Sequence, residues 1–175
     1  MVYFTGKGDK GYSLINNKRL SKDNFYLEIL GELDEFNSPL GFLKNLIKDK
    51  KIKKEILLIQ NDVFILQANI SWFIYPKFKK PKIKEERIKE IEKKIKEIEK
   101  NKKPPHHFFI ISESNLESGI LDYLRTKIRT LERKIVNFSK KKKIEEKLLK
   151  YINRLSSYFF ALSRLKSKND KEPWY

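Results

Sequence analysis

From Asp23 onward, apolar residues return every three or four positions almost without interruption, and this periodicity restricts the chain to long helices packed in a bundle. Leu27, Leu30, Leu33, Phe36, Leu40, Leu43 and Ile47 predict one amphipathic helix, with Pro39 as an expected kink. A second helix is expected over 51–73, with Ile52, Ile56, Ile59, Val63, Leu66 and Ile70 on one face, and it ends before the proline-bearing stretch YPKFKKP. The turn between the two is short, so they should lie antiparallel. A third segment, 83–100, sets Ile88, Ile91, Ile95 and Ile98 in an otherwise charged sequence. So narrow a stripe suits a coiled coil or an outer bundle helix with one edge inward; its short span favours the latter. After an extended crossover, NKKPPHHFFIIS, a fourth helix begins at SNLE, where Ser114 and Glu117 have capping-box spacing. It carries Leu116, Ile120, Leu124, Ile128, Leu131, Ile135 and Phe138 inward. A basic linker from Lys140 leads to a fifth, with Ile144, Leu148, Ile152, Leu155, Phe159 and Leu162 as its core face. No strand pattern of useful length is visible. The expectation is a single all-α domain over 1–175, a five-helix bundle of four long up-down helices plus one. It consists of a glycine-bearing arm (1–22), the bundle (23–168) and an irregular tail (169–175).

Composition removes several chemistries. There are no cysteines, which excludes disulfides, thiolate metal sites and thiol nucleophiles, and the only histidines are His106 and His107, so no zinc centre is expected. Neither a basic and apolar leader nor an apolar run approaching the roughly 20 residues of a membrane span is apparent, and a cytoplasmic protein is expected. Lys and Arg number 40 against 23 Asp and Glu, a net charge of +17. That excess admits nucleic acid, an anionic membrane or a phosphate-rich small molecule as partner, and much of it can be solvated helix surface.

Two stretches carry candidate chemistry. GKGDKG, Gly6 to Gly11, has the spacing G-x-G-x-x-G but lacks the preceding strand and βαβ context of a dinucleotide site, and it does not end as a Walker A loop. Its glycines would nevertheless let backbone N–H groups approach a polyphosphate, among Lys7, Lys10, Lys18, Arg19 and Lys22; a floppy basic arm is the other reading. In LDYLRTKIRTLERK, Arg125, Arg129 and Glu132 share one stripe beside the apolar face. Two guanidiniums one turn apart make a fork for phosphate oxygens, and Glu132 can orient one of the guanidiniums or accept from a ribose hydroxyl, although the same pattern also occurs as a solvated salt-bridge ladder. Asp34 and Asn153 each stand as polar residues within strongly apolar segments.

In combination these pieces resemble the ATP:cob(I)alamin adenosyltransferase family of the propanediol-utilisation type. The resemblance runs through T-x-x-G-D-K-G at Thr5 to Gly11, the pair Lys22 and Asp23, G-x-x-D-E-x-N-S at Gly31 to Ser38 and I-Q-x-x-x-F at Ile59 to Phe64. It continues through P-P-x-x-F-F-I at Pro104 to Ile110, R-x-x-x-R-x-x-E-R at Arg125 to Arg133 and N-R-L-S at Asn153 to Ser156. It implies a ferritin-like, adenosyltransferase-like five-helix bundle, assembled as a homotrimer with sites between neighbouring subunits. ATP, with Mg²⁺, would lie against the arm of one subunit and the arginine helix of another. Carried over residue by residue, Thr5, Gly6, Lys7, Gly8, Ser13 and Lys22 contact ATP from the arm, and Arg129, Glu132, Arg133 and Asn153 complete the site. Asp34 and Arg125 match a salt-bridged pair near the corrinoid. Phe109 matches the aromatic beneath the corrin ring, where an apolar wedge would displace the lower axial ligand; Phe108 is its neighbour in the FFII run.

The implied chemistry is attack of Co(I) on the 5′ carbon of ATP with loss of triphosphate. It needs no protein nucleophile, only orientation and neutralisation of the leaving charge. Cobalamin is then a substrate, and a reductase and an adenosylcobalamin-dependent enzyme are implied partners. Lys7 stands where a threonine is common, Ser112, Glu113 and Ser114 replace a proline-glycine-glycine turn, Thr130 replaces an arginine and Ser157 an aspartate. The alternatives are a basic helical nucleic-acid-binding protein and an ATP- or corrinoid-binding relative without turnover.

Overall fold

The computed structural model describes residues 2–15, 17–106, 110–112 and 115–173. Five helices form the bundle: α1 (Phe25–Leu46), α2 (Lys50–Ile74), α3 (Glu85–Asn101), α4 (Leu116–Ser139) and α5 (Glu146–Lys166). Their starts follow local capping chemistry. The Asn24 side chain accepts from the Tyr26 N–H at 3.0 Å, and Asp49 accepts from Lys51 and Ile52 at 2.8 and 3.2 Å. Asn115 caps α4 by accepting from the Ser118 N–H at 3.0 Å. The expected capping box falls on Ser114, which lies outside the described residues, and α4 begins from its neighbour. α1 runs through Pro39 to Leu46 without a break.

α1 packs between α2 and α4, α4 packs on α5, and α3 lies along α5. The shared core includes Leu33, Phe36, Leu40, Ile59, Leu66, Leu124, Ile128, Leu131, Ile152 and Phe159, all fully buried, with Phe36 and Phe159 edge to face at 5.6 Å. Two faces are rotated slightly from expectation at their starts. Ile29 rather than Leu27 or Leu30 opens the buried series of α1, and Leu121 rather than Leu116 or Ile120 opens that of α4, where Leu116 is exposed. Burial of each such side chain stabilises the bundle by about 1.5–3 kcal/mol before the entropy of ordering is set against it.

The expectation of no strands is corrected at two places. The arm contains an antiparallel hairpin, β1 (Tyr12–Ile15) with β2 (Lys18–Ser21), and Asn17 takes the left-handed conformation at φ 66° that its turn requires. The tail is likewise not irregular throughout: β4 (Asp170–Lys171) pairs antiparallel with β3 (Ile111–Ser112) in the crossover. A further correction concerns α2, which by length and composition is apolar enough to cross a membrane. Here its apolar series, Ile52 through Ile70, faces the core, and the same helix buries Glu55, Asp62 and Asn69.

α3 lies at the outside of the bundle as its narrow stripe predicts, with Ile88 and Ile91 fully buried. What periodicity did not indicate is a charged lock between α3 and α2. Arg87 donates to Asp62 Oδ2 at 2.7 Å and to Glu55 Oε1 at 2.6 Å, and Lys94 reaches Glu55 at 3.2 Å. From α5, the buried Tyr151 hydroxyl donates to the same Asp62 oxygen. Burial pushes the Asp62 carboxyl upward against the pull of Tyr151 and Arg87, and burial also pushes Tyr151 and Tyr158 well above the ordinary phenol range.

The tyrosine shifts predict an alkaline limit. Each phenol keeps its proton in the folded chain and loses it near pH 10 when unfolded, so their contribution is complete below pH ~10 and falls as pH rises above it. The expected slope approaches about −2.7 kcal/mol per pH unit for the two together. Urea denaturation between pH 9 and 11 checks this, with Tyr151→Phe expected to halve the slope.

Candidate active site: an arginine cleft between α3, α4 and α5

A cleft of about 830 Å³ opens between the C-terminal half of α3, the middle of α4 and the C-terminal half of α5. Arg125, Arg129 and Arg133 recur every fourth residue of α4, so they share a stripe next to the core series Leu124, Ile128 and Leu131 and project along the cleft wall. α5 faces them with Asn153, Ser156, Ser157, Phe160 and Arg164, and the segment after α3 contributes Lys102 and Lys103. Arg125, Arg129, Arg133, Arg164, Lys102 and Lys103 stand against Glu99 as the only carboxylate among the described residues of the lining, an electrostatic arrangement for a polyanion.

The arginines are held in place. Arg129 donates through Nη1 to Glu132 Oε2 at 2.5 Å, and the other oxygen of Glu132 accepts from Asn153 Nδ2 at 2.9 Å. One carboxylate thus joins α4 to α5 while the Arg129 side chain stays 47% exposed to the cleft. Arg133 donates to Thr130 Oγ1 at 3.0 Å. Arg125 is gripped by Asp122, at 2.7 and 3.4 Å, and both Arg125 and Arg164 lie 5.8 Å from the Phe160 ring centroid. Arg164 is buried and ion-paired with Asp170 of β4 at 2.5 Å, and Lys102 donates to the Ser167 carbonyl at 2.9 Å. Asp170 thereby ties Arg164 and Lys102 together at one end of the cleft.

The sequence-derived candidates fall into three groups. Arg125, Arg129, Arg133 and Asn153 line the cleft together, with Glu132 bonded to two of them. Thr5, Gly6, Lys7, Gly8, Ser13 and Lys22 lie in the arm, and none of them lines this cleft. Ahead of its hairpin the arm contains turns: Gly6 and Gly11 take positive φ, and the Gly6 and Gly8 carbonyls accept from Asp9 and Gly11 at 3.3 and 3.2 Å. A Cβ on Gly8 would lie 3.2 Å from Lys22 Nζ, so the absence of a side chain there admits the ammonium. Asp34 is exposed on α1 and does not pair with Arg125, which takes Asp122 instead; the expected salt bridge is not made within one chain. Phe109, with Phe108, lies outside the described residues.

Sequence reasoning missed Arg164, Phe160 and Lys102. The first two were within reach: Asn153, Ser157, Phe160 and Arg164 recur at four, three and four residues, a face of α5 beside its apolar series. Lys102 was not, because its partners Ser167 and Asp170 lie far along the chain and meet it only in the folded structure.

Comparison with known proteins shows the family. The family model described as cobalamin adenosyltransferase matches residues 3–166. The chain is 31% identical over 169 residues to a corrinoid adenosyltransferase of Bacillus subtilis (strain 168), covering 94% of this chain and 86% of that one. A variant PduO-type ATP:corrinoid adenosyltransferase from Lactobacillus reuteri, complexed with cobalamin and ATP, has TM-score 0.83 at 28% identity, over 94% of this chain and 90% of that one. A second variant from Lactobacillus reuteri, complexed with ATP, has TM-score 0.80 at 31% identity over 96% and 98% of the two chains. With the model matched across nearly all of its length, the chain belongs to the cobalamin adenosyltransferase family.

Proposed function

We propose that this protein transfers the 5′-deoxyadenosyl group of ATP to cob(I)alamin, giving adenosylcobalamin and triphosphate. The observation that carries the reading is the Arg129–Glu132–Asn153 constellation in the arginine cleft of a family member whose relatives include proteins complexed with both ATP and cobalamin. In the reaction the two electrons of Co(I) form the cobalt–carbon bond at C5′. The C5′–O bond breaks, and its electron pair leaves with triphosphate. The side chains orient the two substrates and stabilise charge on the departing oxygen. Arg129 and Arg133 serve the triphosphate, and Glu132 and Asn153 fix Arg129.

The groups that do not meet within one chain support a site shared between subunits of a homotrimer. The arm, with Thr5 to Gly8, Ser13 and Lys22, stands outside its own cleft, and Asp34 and Arg125 lie apart. Val2, Tyr3 and Phe4 of the arm are exposed apolar residues, which a neighbouring subunit would cover. Asp34 and Arg125 pair across that boundary in this proposal, and Phe109 supplies the apolar face under the corrin ring. The described residues contain no cluster of three or more His, Cys, Asp or Glu side chains suited to a resident metal, and Glu132 is already engaged twice. Mg²⁺ is accordingly proposed to arrive on the phosphates as MgATP, part of the substrate. A cytoplasmic location, a reductase and an adenosylcobalamin-dependent enzyme complete the proposal.

Product analysis under anaerobic conditions tests the bond that breaks. One triphosphate is expected for each cobalt–carbon bond formed; ADP and phosphate in its place would contradict attack at C5′.

A further inference from the structure

Arg154 follows Asn153 directly in α5 and does not line the cleft, because consecutive helical residues point about 100° apart. It turns instead toward α3. Its Nε donates to Glu92 Oε1 at 2.8 Å, and its Nη1 donates to Asn153 Oδ1 at 2.9 Å. Lys150 also approaches Glu92, at 3.7 Å. The Arg154 hydrogen bond holds the Glu92 carboxyl below the usual range. A single guanidinium fork therefore spans two elements, and one of its tines ends on the amide of a cleft residue.

The consequence concerns which way that amide faces. An asparagine side chain has an acceptor end and a donor end of nearly identical shape, and its orientation is set by its neighbours. Here Oδ1 faces a guanidinium and Nδ2 faces the Glu132 carboxylate at 2.9 Å. Turning the amide over would set Nδ2 against Arg154 and Oδ1 against Glu132, replacing two charge-assisted hydrogen bonds by two repulsions. Without Arg154 only Glu132 would choose between the two orientations.

We propose that Arg154, clamped by Glu92, is a positioning residue for ATP: it fixes the Asn153 amide and, through Glu132, the cleft arginine Arg129. The chain of contacts runs Glu92, Arg154, Asn153, Glu132, Arg129, so α3 influences the anion-binding wall without contributing a cation to it. This inference rests on the reading of the cleft as the ATP site.

The test is a double-mutant cycle on the full-length protein, reading kcat/KM for ATP and the dissociation constant of MgATP. Arg154→Met is expected to lower kcat/KM about tenfold, the worth of one charge-assisted hydrogen bond. Arg154→Lys should not restore it, since an ammonium can keep Glu92 but has no fork to reach Asn153 as well. In an Asn153→Ala background, the Arg154→Met change should cost less than about twofold, because the residue through which it acts is gone. A full tenfold loss persisting in that background, complete rescue by lysine, or no loss in Arg154→Met alone would each overturn the positioning role. If Asn153→Ala itself leaves both MgATP binding and kcat/KM unchanged, the reading of the cleft fails first, and the relay with it.

Discussion

Arg87→Met is expected to destabilise the protein by about 3–5 kcal/mol, the range found when one partner of a buried ion pair is removed. The Arg87 side chain is 11% exposed and, among the described residues, is the only group that bonds both Asp62 and the buried Glu55. Its loss leaves two carboxylates between α2, α3 and α5, with Lys94 on one and Tyr151 on the other. Burial already pushes Asp62 upward, so in the variant it would take up a proton at the expense of folding stability. α3 is the helix most exposed to this loss, since beyond the charged lock it holds the bundle by a stripe of isoleucines and by partly exposed ion pairs to α5 such as Glu92 with Arg154. Urea denaturation at pH 7 measures the effect. The triple variant Arg87→Met, Glu55→Gln, Asp62→Asn should recover most of it, because the penalty lies in the unpaired charges. A loss below about 1 kcal/mol in the single variant would mean that the lock is a solvated surface pair in its energetics.

Arg129→Ala should lower kcat/KM for ATP by about 10²–10³-fold, the effect of deleting one preorganised donor to a developing anion. The side chain is half exposed and, among the described residues, anchored at Glu132 only, so stability should change by no more than about 1 kcal/mol. Arg129→Lys should restore little, because an ammonium cannot bond Glu132 and present a second donor edge to a phosphate at once. The contrast with Arg87 is the useful feature: one arginine is worth stability and the other turnover, although both lie on charged faces of α-helices that look alike in sequence.

That likeness marks where sequence reading reached its limit. The helices were legible because core positions repeat at three and four residues, and Arg125, Arg129 and Glu132 were legible because the same period sets them beside that core. The lock was not, since Arg87 sits in a helix where Lys, Arg and Glu alternate and nothing local distinguishes a buried guanidinium from a solvated one. Strands of two to four residues are too short to show alternation, so the hairpin and the pairing of β3 with β4 were missed. Asn115 caps α4 at the Ser118 N–H, and the Ser114 of the expected capping box lies outside the described residues. The separation of Asp34 from Arg125, and of the arm from the cleft, is a matter between chains in the proposed assembly and has no intrachain signature.

The central claim is adenosyl transfer at the arginine cleft, and one anaerobic experiment addresses it: chemically reduced cob(I)alamin and MgATP are mixed with the protein and the decay of the Co(I) absorbance is followed, with Arg129→Ala in parallel. The account predicts enzyme-dependent decay in the wild type and a loss of 10²-fold or more in the variant, at unchanged folding. Absence of decay in the wild type with ATP bound, or equal rates in the two proteins, would contradict it.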